Sequence, residues 1–247
     1  MSRWILLRGL TRDSHHWGDF PAALQTATGL PVTALDLPGN GRLAGQRSPA
    51  RIDALAEHCA LAVERLGLLP PFRLVAISLG AMVAIEWARQ RPAAFESLTL
   101  INASAAPFAA ASERLRPSAL PGLLRTLLPG CSDTRAEALI LARTSNLDPQ
   151  AHAATLRDWA DWRARFPVSR ANALRQLLAA ARYRAPAEPP HPATRLLACW
   201  GDRLVAPACS LRLAEAWQVP LRLHPWAGHD LPLDDPAWLI RQLLTHS

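Results

Sequence analysis

Short apolar runs recur along the chain, and most are followed by a longer segment whose apolar positions fall three and four residues apart. Trp4–Leu7, Val32–Leu37, Arg73–Ser78, Leu98–Asn102, Arg195–Trp200 and Leu221–Pro225 read as buried strands. Between them, residues 50–66 carry apolar side chains at helical spacing and stop at Gly67, while Asp235 and Pro236 supply an N-cap and a first-turn proline for a last helix. Strand and helix in alternation place successive strands parallel, with helices over both faces. The pattern therefore predicts an α/β fold: a doubly wound, mostly parallel six-stranded sheet.

The alternation breaks between residues 106 and 190, where proline-separated helical segments replace strands. Asp148-Pro149 is expected to open one of these helices, with Leu156, Trp159 and Phe166 on one face and Arg157, Asp161 and Arg165 on another. The stiff stretch APAEPPHP, residues 185–192, leads back to the sheet. This predicts a core built from residues 1–105 and 191–247, with residues 106–190 inserted as a helical cap.

Composition narrows the function classes. Half of the 247 residues are apolar, enough for one sizeable core. The net charge is +7, but all 27 basic residues are arginine, which reads as compositional bias rather than a nucleic-acid surface, and no helix-turn-helix or aromatic-and-basic signature accompanies it. The first ten residues, MSRWILLRGL, hold an apolar stretch too short for a signal peptide, and no run approaches the ~20 residues of a membrane span. A soluble, cytoplasmic protein is expected. Cys59, Cys131, Cys199 and Cys209 lack metal-binding spacing and predict reduced, mostly buried thiols, with no metal and no cofactor.

The stretch VAISLGAMVAIEWARQ sets Ser78 between a strand and a helix, with Ala76 two residues before it and Gly80 two residues after. This is nearly the G-x-S-x-G turn, in which small neighbours let a serine sit on a strained backbone. Taken alone, an S-x-G pair is more simply a helix N-cap. A serine hydroxyl becomes a useful nucleophile only with a base in reach and a third group to orient that base. Asp202 follows the fifth apolar run, and His229 lies between the sixth and the last helix. Each has an ordinary alternative as a loop residue. Jointly they form an ordered Ser, Asp, His set at strand ends, where parallel sheets present ligands. Asp230, Asp234 and Asp235 are rival acids; Asp230 adjoins the histidine too closely to align with it, and Asp235 is better used as a helix cap.

Five motifs in order, LLRGLTRDSHHW, LDLPGNGRL, AISLGA, WGDRLV and AGHDLPL, resemble the α/β-hydrolase family, specifically its small capped esterases. The resemblance implies an oxyanion hole made by the backbone N–H groups of Leu10 and Leu79. Such donors are worth roughly 3–4 kcal/mol each to a tetrahedral intermediate. The chain departs from the family at Arg8, where relatives have histidine. Arg8 either faces a substrate carboxylate at the rim or steadies its loop through nearby carbonyls. Asp36 is expected to support the fold, and His15 and His16 to lie on a loop surface.

The resulting expectation is an ester hydrolase with Ser78 as nucleophile, His229 as base and Asp202 as its orienting acid, acting on a small-molecule ester. The same residues suit thioester cleavage, carbon–carbon hydrolysis or acyl transfer, and a non-catalytic binding protein on this fold is a further alternative. Twelve of the arginines, against seven acids, fall in residues 106–190. An acyl-carrier protein docking on an arginine-rich cap is therefore a possible partner, with a solvated helical lid as the simpler reading.

Overall fold

The structure, a computed structural model, describes residues 2–126, 128–148 and 150–245. Six strands, β1 (Arg3–Leu7), β2 (Val32–Leu35), β3 (Phe72–Ile77), β4 (Phe95–Ile101), β5 (Thr194–Cys199) and β6 (Leu221–His224), form one sheet in the order β2-β1-β3-β4-β5-β6. All five pairings are parallel, so the only departure from the expected sheet is that none of it is antiparallel. Each expected strand is present, with ends shifted by one to three residues.

Side chains alternate across the pleat and divide the core in two. Trp4 and Leu6 of β1 pack on one face with Phe20 and Leu24 of α1 (Phe20–Thr28) and Leu239 of the last helix. Ile5 and Leu7 face the other way, toward Leu55 of α2 (Ile52–Arg65) and Ile85 of α3 (Leu79–Gln90). Because both faces are covered, the C-terminal halves of the central strands are mostly apolar, as in LVAI of β3 and LTLI of β4, which is why they appear as short apolar runs in the sequence.

Between β4 and β5 the described residues form helices: α4 (Ala111–Arg114), α5 (Leu120–Thr126), α6 (Asp133–Thr144), α7 (Ala153–Arg165) and α8 (Arg170–Arg182). Ala106 and Arg184 bridge to each other, and the N–H of Ala185 donates to the carbonyl of Ala106 at 2.7 Å. The chain thus leaves the sheet and returns to it at one place. Helix α7 begins at Ala153 rather than at Asp148, and Pro149 lies outside the described residues. Trp159 is buried while Arg157, Asp161 and Arg165 are exposed, as the face assignment requires; Phe166 falls just past the helix end. After β5 come α9 (Ala208–Trp217), then β6, α10 (Leu231–Asp234) and α11 (Pro236–Leu244). The side chain of Asp235 accepts the N–H of Trp238 and caps α11.

The strand ends set the close approaches on which the site depends. Ser78, between β3 and α3, has φ 59° and ψ −119°, a conformation that L-residues adopt only at a cost. A Cβ built at Gly80 would lie 2.6 Å from the carbonyl oxygen of Arg8 and 2.8 Å from that of Leu7. At Gly9 it would lie 3.0 Å from the Cβ of Ser78. Ala76, in place of the first motif glycine, sits within β3 opposite Leu7 and has no positive φ, so its methyl is accommodated.

Gly80→Ala is expected to lower stability by at least the roughly 1–3 kcal/mol typical of overpacking, because the obstructing atoms are backbone and cannot rotate away. Urea unfolding of the variant would read this, and a wild-type midpoint would show that the elbow is looser than these distances.

Candidate active site

Four loops meet at the C-terminal edge of the sheet: those after β1, β3, β5 and β6. Asp202 follows β5 and His229 follows β6, and both are buried. Asp202 Oδ1 accepts the backbone N–H groups of Leu204 (2.8 Å) and Val205 (2.9 Å), which fixes the carboxylate. Its Oδ2 meets His229 Nδ1 at 2.6 Å. A carboxylate can only accept, so this contact assigns a proton to Nδ1, and in the neutral tautomer of the ring the lone pair is on Nε2. Nε2 is buried and has no hydrogen-bond partner.

The rival acids are committed elsewhere. Asp230 receives both terminal nitrogens of Arg8, at 2.9 and 2.5 Å. Asp234 accepts the Ser145 hydroxyl and the N–H groups of Asn146 and Gly228. Asp235 caps α11.

Ser78 is half-buried and lines the same cavity as His229, without a hydrogen bond between them. The cavity measures about 130 Å³. Leu10 and Leu79 lie on its wall, and among the described residues no acceptor takes the N–H of either. Leu123, Ile140 and Leu177 close it from the inserted helices. The loop after β1 is held from outside: Gln176 of α8 accepts the Thr11 N–H (2.9 Å), and its own amide donates to Asn40 Oδ1 (2.7 Å). Asn40 in turn donates to the carbonyl of Arg12 (2.8 Å).

Arg8 does not sit at the rim with a free head group, nor does it bind carbonyls. It is buried, forked onto Asp230 and stacked over Trp17 with 5.0 Å to the ring centroid. Burial works to raise the pKa of Asp230, but the Arg8 charge and donors outweigh it and hold the carboxyl below its ordinary range. Its N–H donates to the carbonyl of Thr144 (2.7 Å), so the residue beside His229 is fixed on both sides.

Of the two histidines of the first loop, His15 is partly exposed, as a loop-surface position requires, while His16 is not a surface residue. His16 is buried, with Nδ1 3.0 Å from Asp13 Oδ1 and Nε2 2.8 Å from Arg12 Nη1. Arg12 reaches on to Glu137 Oε2 of α6 at 2.6 Å and lies over the Trp159 ring of α7. His15 stacks on Trp162 at 4.1 Å between centroids and contacts Asp158. Burial, and then the neighbouring Arg12 charge, press the His16 pKa down to about 4. Asp36 does support the loops, accepting from the N–H groups of Ser14 and Arg42.

A further set of contacts escaped sequence reasoning. Asn146, just past α6, donates through one amide nitrogen to the carbonyls of Gly201 (2.9 Å) and Trp226 (2.8 Å). It thereby ties the loop carrying Asp202 to the loop carrying His229. Asn102, at the end of β4, donates to the carbonyl of His229 (2.9 Å). The signal available in the sequence was the glycine before each site residue: a Cβ at Gly201 would meet Asn146 Nδ2 and Trp226 O, and one at Gly228 would meet the Thr144 carbonyl at 2.6 Å.

Two outcomes follow. A histidine whose folded pKa lies below its usual value takes up its proton mainly on unfolding, so its contribution is complete above about pH 6.5 and is lost as pH falls toward 4, about 3 kcal/mol over the whole range. His16→Gln should flatten the stability difference between pH 7 and pH 5 in urea unfolding; an unchanged slope would contradict a buried neutral imidazole. Asn146→Ala removes a donor shared by two loops and should cost about 1–3 kcal/mol, with faster hydrogen exchange at residues 226–230. Exchange unchanged there would leave Asn146 without the bridging role.

The family model of the alpha/beta hydrolase family matches residues 4–242 of this chain. RutD of Variovorax paradoxus strain S110, whose name assigns it provisionally as a carbamate hydrolase, is 32% identical over 256 aligned positions, covering 97% of this chain and 89% of RutD. Among solved structures, Cfl2 from Burkholderia cenocepacia superposes with a TM-score of 0.77 at 19% identity, covering 98% of this chain and 86% of its own. A thermophilic esterase from Thermogutta terrifontis does so with a TM-score of 0.73 at 18% identity, covering 98% and 88%. Those structural likenesses speak for the fold, and the sequence match over nearly the full length speaks for the family: this chain belongs to the alpha/beta hydrolases.

Proposed function

We propose that this chain is a serine hydrolase that cleaves carboxylic esters through an acyl-enzyme, with Ser78, His229 and Asp202 as its catalytic triad. The observation that carries the reading is the imidazole of His229, fixed at Nδ1 by a buried carboxylate and unpartnered at Nε2, beside a cavity that Ser78 also lines. Ser78 Oγ attacks the acyl carbon as Nε2 takes its proton. The resulting oxyanion accepts the N–H groups of Leu10 and Leu79. His229 then returns the proton to the departing alcohol. A water molecule, deprotonated by the same nitrogen, attacks the acyl-enzyme and releases the acid and Ser78. The missing Ser78–His229 hydrogen bond fits a free site, since such contacts commonly tighten only with substrate in place.

The helices of residues 106–190 act as a cap over this cavity, with Leu123, Ile140 and Leu177 forming the acyl wall. Carbamate cleavage is the second reading, favoured by the 32% identity to RutD. It uses the same attack and differs in the acyl part, Ser78 then carrying a carbamoyl group in place of a carboxylic acyl group. Thioester cleavage and acyl transfer also run through the same acyl-enzyme. The acyl-carrier-protein reading has weaker support, because Arg114, Arg163 and Arg175 direct donors to partners within the molecule rather than outward. No helix among the described residues is long and apolar enough to cross a membrane.

A panel of p-nitrophenyl esters, acyl thioesters and aryl carbamates of increasing acyl length tests the reading alongside Ser78→Ala. Turnover is expected on the short esters, with a loss of roughly 10³-fold or more in the variant, and a fluorophosphonate probe should label Ser78 in the native chain alone. Full activity in Ser78→Ala would remove this serine as nucleophile, and a folded native chain that neither turns over nor labels would favour a binding protein on a hydrolase fold.

A further inference from the structure

Three arginines are among the residues that line the otherwise largely apolar cavity: Arg8, Arg12 and Arg114. Two are matched by buried acids, Arg8 by Asp230 and Arg12 by Glu137. Arg114 is not. It sits on the single turn α4 and donates from Nη2 to the carbonyl of Ala180 on α8. Its Nε is buried with no partner, and among the described residues no carboxylate pairs with it. The acid next to it in sequence, Glu113, is taken by Arg212 through two bonds of 2.6 and 2.7 Å. Arg8 Nε and Arg12 Nη2 are also buried without a partner, but only Arg114 among the three lacks a carboxylate. A guanidinium keeps its charge under any ordinary condition, so a cation with no acid to answer it stands at the wall of a chamber whose neighbouring side chains are Leu115, Leu123 and Leu177. Leaving such a group unmatched is costly, and the chemistry that relieves it is a planar oxyanion.

We propose that the cavity accepts acyl groups that end in a carboxylate, so that the preferred substrates are monoesters of short dicarboxylic acids, with the free carboxylate on Arg114 and the ester carbonyl at Ser78. This deepens the hydrolase reading above and rests on it for the ester end. The size of the chamber limits the acyl chain. At about 130 Å³ it is close to the roughly 150 Å³ cavity that holds one benzene molecule, which suits an acyl group of about the bulk of glutarate or adipate. The pairing also explains why apolar lining and a half-buried cation occur together. Leucines receive the methylene groups, and the arginine identifies the far end.

The experiment compares kcat/KM for methyl hydrogen glutarate with that for methyl hexanoate, a neutral ester of similar bulk, in the native chain, in Arg114→Gln and in Arg114→Lys. The native chain should prefer the anionic ester. The Gln variant should lose that preference by roughly ten- to a hundredfold, mainly through KM, and the Lys variant should keep part of it. Glutarate alone should raise the Tm of the native chain and of Ser78→Ala, but not that of Arg114→Gln. An anionic-to-neutral ratio equal in the native chain and the Gln variant, or a native preference for methyl hexanoate, overturns the inference while leaving the hydrolase reading intact. Should neither ester be cleaved, the Tm readout decides: an Arg114-dependent shift upholds anion recognition, and no shift sinks it, while the hydrolase reading stands or falls on the p-nitrophenyl ester panel and fluorophosphonate labelling above. If circular dichroism finds Arg114→Gln unfolded, the Lys variant supplies the comparison through its reduced ratio and shift.

Discussion

Two strand ends approach so closely that only glycine fits between them. The carbonyls of Leu7 and Arg8 press against position 80, and Gly9 presses against the side-chain root of Ser78. This contact joins the loop after β1 to the first turn of α3, and the other features of the site are arranged around it. It brings Leu10 and Leu79 to the wall of one cavity, holds Ser78 on a strained turn, and leaves the N–H of neither leucine with an acceptor among the described residues. Strain of this kind persists only where the surroundings over-determine it. Here they do so through a parallel sheet whose central strands are buried on both faces and cannot slip in register without exposing a core.

The polar residues around that contact are there for position more than for stability. A buried ion pair such as Arg8–Asp230 gives up the hydration of both charges, and its net contribution is often near zero or negative compared with apolar residues of the same shape. Its geometry, by contrast, is exacting. The fork of Arg8 fixes the side chain of the residue after His229, while the Thr144 carbonyl fixes its N–H. Arg12, His16, Asp13 and Glu137 do the same for the loop after β1, against α6 and α7. The loops are therefore set by directed bonds in a medium where bending one bond leaves a charge unanswered.

What was legible in the sequence follows from this division. The six strands could be read because burial on both faces makes them short apolar runs. The Ser78 turn, Asp202 and His229 could be read because short motifs with glycine mark tight backbone approaches, and a parallel sheet brings strand ends to one edge. The roles of Arg8 and His16 could not be read. Asp230, the partner of Arg8, and Glu137, which anchors the Arg12 that holds His16, lie more than a hundred residues away, and a charged residue in a loop looks alike in sequence whether it is solvated or paired. The start of α7 was missed by several residues, since the Asp-Pro pair that marks helix starts elsewhere precedes this helix without capping it.

The inserted helices do two jobs with separate residues. Leu123, Ile140 and Leu177 line the cavity, and their side chains make no hydrogen bond to the loops beneath. Residues 144–146 are different: the Thr144 carbonyl, the Ser145 hydroxyl and the Asn146 amide all bond to the loops carrying Asp202 and His229. An insertion that merely covered the cavity would need no such bonds. Their presence means that the loops carrying Asp202 and His229 are completed by the helices between β4 and β5, so that these helices and the sheet edge form one unit, with loop geometry fixed at the end of α6.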